Sequence, residues 1–104
     1  MLILVPVSAY IAEIELLNAG SEAFLSLIPE QRSIVNELMS EGSIISYAVS
    51  GDRKKMWCIF EADSELEVHR IIDKFPLNAF MDSTIHKLLF HNMHATIMGS
   101  ISLN

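Results

Sequence analysis

Residues 44–80, IISYAVSGDRKKMWCIFEADSELEVHRIIDKFPLNAF, decide the fold, because a strand, a tight turn, a second strand, a capped helix and a Phe-Pro stop follow one another there. Segments 44–50 and 55–61 are short runs rich in β-branched and aromatic residues, and the polar GDRK at 51–54 between them suits a reversal of direction. The two strands should pair antiparallel. Alternation across a pleated sheet sends Met56, Cys58 and Phe60 one way and Trp57 and Ile59 the other, so both faces of the second strand are apolar.

Ser64 stands three residues before Glu67, the spacing of a capping box, so a helix begins there. Val68, Ile71, Ile72 and Phe75 fall on one face of it, and Pro76, which has no N–H to give, ends it near Lys74.

Working outward, Gln31, Ile34, Val35, Leu38 and Met39 repeat at the spacing of a buried helical stripe. Pro29 and Glu30 suit a first helical turn and Gly42 suits the position just past the end, which predicts a helix over 29–41. Segment 21–27 reads as a preceding helical turn with a bend at Pro29, and 18–21 as a loop. Residues 1–9 are apolar on both sides and read as a buried strand. Pro6 leaves two readings: the strand breaks there, or pairing resumes from Val7 towards Leu17. Segment 77–82 is a connection, 84–91 (TIHKLLFH) has strand composition, and the β-prone 95–98 is an extra strand or an arm over a partner.

The order is therefore β, α, β, β, α, β, an α+β ferredoxin-like protomer with two helices on one face of a four-stranded antiparallel sheet. The other face needs cover. The simplest cover is a second copy of the same sheet, giving a homodimer, with a ligand cleft between sheet and helices. Composition agrees: 51% of the residues are hydrophobic and only 19% charged, which is apolar for a chain of 104 residues read as one domain, 1–104.

A formal charge of −6 with seven scattered basic residues argues against a nucleic-acid partner. A lone Cys58 in a strand has no intramolecular disulfide partner, which fits a reducing, cytoplasmic setting. The opening MLILVPVSAYIA lacks a positive n-region and is followed by Glu13 and Glu15, and no run reaches the about 18 apolar residues of a membrane span, so no membrane partner is expected.

The run 41–91 resembles the muconolactone isomerase-like proteins of the dimeric α/β-barrel superfamily. The likeness spans about residues 29–92 and is carried by Glu37-Leu38, Glu41-Gly42, Phe60-Glu61, Asp63-Ser64, Phe75-Pro76-Leu77 and Phe80-Met81. His91 falls where the last strand of the isomerases carries an Arg-His pair, with Phe90 in the place of the arginine. The resemblance implies a ferredoxin-like protomer, dimerisation through sheet faces, sometimes larger rings, and in the enzymes a cofactor-free proton shift on a small lactone.

His91 is the candidate general acid or base, since an imidazole with a pKa of about 6.5 suits proton transfer at neutral pH. Asp82, just ahead of the last strand, is the candidate carboxylate base, weighed against a solvated loop residue. Tyr47 and Trp57 in the hairpin, with His86, are candidate ligand-binding residues, weighed against plain core packing. His86, His91 and His94 invite a metal, but His86 and His91 are five apart on one strand and face opposite ways, so no metal is expected. His69 reads as a helix-surface residue, and Cys58 as core without an activating neighbour. The leading reading is a cofactor-free isomerase or lyase acting on a small lactone-like molecule. The alternatives are a non-catalytic barrel that binds a small apolar ligand or serves assembly, and a cofactor-free monooxygenase.

Overall fold

The computed structural model describes residues 8–91. Residues 1–7, with Pro6 and most of the expected first strand, and the tail with His94 and segment 95–98, lie outside the described residues. The chain runs β1 (Ser8–Leu16), α1 (Glu22–Ser40), β2 (Ile44–Val49), β3 (Lys55–Ala62), α2 (Glu65–Asp73), a 3-10 turn (Asn78–Phe80) and β4 (Met81–Lys87). The sheet order is β2-β3-β1-β4 with every pairing antiparallel, the α+β ferredoxin-like arrangement that the element order predicts.

Both helices lie on one face, α1 over β2 and α2 over β3. That face carries Tyr10, Ala12 and Ile14 from β1 and Met56, Cys58, Phe60 and Ala62 from β3, which close with Val35, Ile44, Val68, Ile72 and Phe75 into the core. The opposite register positions are half-buried (Ile11, Glu13, Trp57, Ile59) or exposed (Thr84, His86), and no described helix covers them. This open face is more mixed than strand alternation predicts. Lys55 and Glu13 form an ion pair across it at 3.3 Å, beside Ile11, Trp57 and Ile59.

The caps explain where the helices start and stop. Ser64 Oγ accepts from Glu67 N–H at 3.2 Å, while Glu67 reaches back to accept from Asp63 N–H at 2.8 Å, the reciprocal bonds of a capping box displaced by one residue. At the end of α1, Gly42 takes φ +83, its N–H bonds to the Met39 carbonyl, and the Ser43 N–H bonds to that of Leu38. That is a Schellman closure, and glycine is the residue that accepts its left-handed backbone without strain.

Two boundaries differ from the sequence reading. Pro29 does not open α1 but lies inside it, because Ser21 caps the helix earlier, accepting from Phe24 N–H at 3.1 Å. Phe24 is buried and meets Phe80 edge-on, ring centroids 5.5 Å apart, and this contact holds the extra turns in place. Leu25 and Pro29 face outward, where the Leu25 carbonyl left without a partner can turn to water. β4 runs from Met81 to Lys87 rather than over 84–91, so Asp82 sits within the strand and not ahead of it. Among the described residues β1 pairs from Ser8 onwards and runs to Leu16; Pro6 and Val7, on which the two readings of the strand's start turn, lie outside them.

Cys58 is fully enclosed, and burial pushes its thiol from 9.0 up to about 12. Between those values the folded chain keeps a proton that the unfolded chain releases, so stability is fully present below pH 9.0 and is lost as pH rises towards 12. The expected slope is up to about 1.4 kcal/mol per pH unit. Urea unfolding on either side of that threshold checks it, with Cys58→Ala lacking this part of the alkaline loss.

Candidate functional site

One extra residue in β2 shapes the site. Ile44 pairs with Phe60 and Ser46 with Ile59, so the register shifts by a bulge between them. Unbroken alternation from the buried Ile44 would turn Tyr47 and Val49 to the open face. After the bulge Tyr47 pairs with Cys58 and Val49 with Met56, and both fall on the helix face.

There they form one wall of a cavity of about 440 Å³ under the first half of α1. Phe24, Ile28, Gln31 and Val35, one stripe of that helix, form the opposite wall, and Leu16, Met56 and Leu77 close the inner end. The lining is apolar except at four side chains: Gln31, Arg32, Tyr47 and Arg53.

Gln31 is 95% enclosed, its exposure being 5%. Its Oε1 accepts from the backbone N–H of Leu77 at 3.1 Å, and its Nε2 meets no acceptor among the described residues. Arg32 follows it on α1 with an exposed side chain, and Arg53 projects from the β2–β3 turn. Neither guanidinium is ion-paired with a described residue, and no carboxylate lines the cavity. In a chain of net charge −6, this end of the molecule is locally cationic.

The turn that carries Arg53 is held by Asp52, whose Oδ1 accepts from Ser50 Oγ at 2.6 Å and from Lys54 N–H at 2.9 Å. The Ser50 hydroxyl first, and then the Lys54 N–H, keep the Asp52 carboxyl below the usual carboxylate range. Arg53 itself takes φ +64, the left-handed region in which a Cβ costs energy and a glycine would not.

Of the residues singled out in the sequence, the structure brings only Tyr47 into this cavity. Trp57, paired with Glu13 and Ala48, lies on the open face. So do His86, opposite Ile11, and Asp82, opposite Glu15, both exposed. His91 is half-buried beyond the end of β4, so strand parity does not relate it to His86. It lines a second groove of about 300 Å³ with Ser8, Ala9, Ile45, Glu61 and Leu88. His69 lies on the surface of α2, its Nε2 3.3 Å from Glu65 Oε2. Among the described residues no three His, Cys, Asp or Glu side chains gather as a metal site requires.

Gln31, Arg32 and Arg53 were missed by the sequence reading. The signal for Gln31 was present, since it is the polar member of an otherwise apolar helical stripe. Arg53 gave none, because a cation in a turn is ordinarily solvated.

The βαββαβ order, the one-sided helices and the cavity beneath α1 define a ferredoxin-like protomer with room for a small molecule. The family model for muconolactone delta-isomerase matches residues 14–94, most of the chain, and the chain belongs to that family. No curated protein matches it.

Arg53→Gly is expected to raise stability by about 1 kcal/mol by relieving the left-handed backbone. The urea midpoint reads this directly, and an unchanged or lowered midpoint would show that the turn is unstrained.

Proposed function

We propose that the chain is a muconolactone isomerase-like protein that binds a small organic acid, lactone-like in its ring, in the cavity under α1. One observation carries the reading: two unpaired guanidiniums and a buried amide sit around an otherwise apolar cavity of about 440 Å³. Apolar walls accept a small ring, and a guanidinium is the side chain best shaped to take a carboxylate through two parallel hydrogen bonds. The sequence offers no arginine ahead of His91, where Phe90 stands. Arg32 and Arg53 supply that charge from other elements.

The protomer, a single domain, is proposed to work as a homodimer whose sheets meet through their open faces, with larger rings as a further stage of assembly. Ile11, Trp57 and Ile59 supply an apolar centre, and each Å² of apolar surface removed from water contributes about 25 cal/mol. The enclosed, unpaired thiol of Cys58 suits a cytoplasmic setting.

A second reading, catalysis by proton transfer without a cofactor, is favoured by the groove that His91 shares with Glu61. A half-buried imidazole in a groove is a side chain suited to serve as a general base. Asp82, Trp57 and His86 on the open face would join such a site only where a second sheet closes over them. Without that closure, the cavity under α1 binds its ligand and leaves it unchanged.

Calorimetric titration with muconolactone should show binding that falls at least about 10-fold in Arg32→Ala and Arg53→Ala, the loss expected of a charge-assisted contact. Equal affinity in both variants would remove the cationic rim from the site. Turnover of the same compound decides the second reading, since a His91→Ala chain with full activity excludes His91 as the base.

In sedimentation the protein should run at about twice its 11.7 kDa chain mass. Dilution should shift the emission of Trp57, the one tryptophan, to the red as the face becomes wet. A particle of single-chain mass at all concentrations would overturn the dimer.

A further inference from the structure

We infer that Gln31 is a specificity-determining residue of the cavity under α1, its amide N–H groups donating to a neutral carbonyl oxygen on the ring of the bound molecule. The inference rests on the proposal that this cavity takes a small organic acid, and adds which end enters first: carbonyl inward, carboxylate outward.

Gln31 is the buried polar side chain among the described residues, at 5% exposure. Its orientation is fixed. The Leu77 N–H, 3.1 Å from Oε1, needs an acceptor, and turning the amide over would set donor against donor. Nε2 is therefore held as a two-proton donor with no acceptor among the described residues to receive either proton. An enclosed donor left in that condition costs about 1–3 kcal/mol. A leucine or methionine at this position would remove that cost but leave the Leu77 N–H without its acceptor, so the tether accounts for Oε1 and leaves Nε2 to be accounted for. A polar group maintained against such a cost marks a place where the complex, and not the free protein, completes the hydrogen bonding.

The same cavity sorts its ligand by charge. Arg32 and Arg53 are exposed, so a carboxylate meeting them keeps part of its hydration. Gln31 is enclosed, and a full negative charge taken to its depth would forfeit that hydration, whereas a neutral carbonyl has far less to lose. The ring between the two ends then lies against the apolar walls.

The test compares two probes in calorimetric titrations of the full chain: muconolactone, and cyclopent-2-enylacetate, which keeps the five-membered ring and the carboxylate but has no ring carbonyl. The unaltered protein should prefer muconolactone by about 10-fold, the value of one buried hydrogen bond. Gln31→Met should abolish that preference by weakening muconolactone alone. Gln31→Glu keeps an oxygen for the Leu77 N–H, so it separates donation to the ligand from support of the chain. Its carboxyl can donate when protonated and only accept when ionised, so its preference for muconolactone should be present at acid pH and vanish as pH rises. The unaltered protein should show no such loss.

Equal binding of the two probes by the unaltered protein, or a preference that survives in Gln31→Met, would overturn the role of Gln31 and leave the cavity as the binding site. Failure of both probes to bind would overturn the cavity reading and this inference with it. A Gln31 that serves only to tether Leu77 would leave the ratio of the two affinities, and its pH dependence, unmoved in either variant.

Discussion

Two helices can shield one face of a four-stranded sheet, and this inequality organises the molecule. The shielded side gathers Ile14, Cys58 and Phe60 against Val68 and Ile72, all with essentially no contact with water. Each such side chain is worth about 1.5–3 kcal/mol in burial, which makes this layer the dominant favourable contribution to folding. The unshielded side keeps Ile11, Trp57 and Ile59 at half burial, interleaved with Glu13 and Lys55. A face so mixed is neither a closed core layer nor an ordinary solvated surface.

Much of this was legible in the letters. The hairpin, the Ser64–Glu67 cap and the glycine closing α1 are local devices, set by neighbours a few residues apart, and local devices survive in sequence. Pro29 misled because a proline is read as a boundary. Here the distant contact between Phe24 and Phe80 outweighed it, and nothing near Pro29 announces that contact. The candidate site was less legible than the fold. Tyr47 was reached from its residue type, but parity alone would have sent it to the wrong face, and the cavity's cations come from a helix and a turn that only the tertiary structure brings together.

The cavity stands apart from the rest of the surface in its electrostatics. A chain with excess acid holds two unpaired guanidiniums at one end of the sheet and gives one of them a backbone conformation better suited to glycine. Stability has been yielded at Arg53 and again at Gln31, whose amide is half satisfied. These two local costs lie around one apolar cavity, and neither residue belongs to the core cluster.

The bulge at Ile45 makes the cavity wall depend on arithmetic as well as on chemistry. Because strand side chains alternate, deleting Ile45 would leave Tyr47 opposite Cys58 and Val49 opposite Met56, whereas regular pairing of all the residues present would turn Ser46 and Ala48 to the helix and send Tyr47 and Val49 outward. The extra residue, and not the residue types of β2 alone, therefore decides whether this wall of the cavity is aromatic or small and polar.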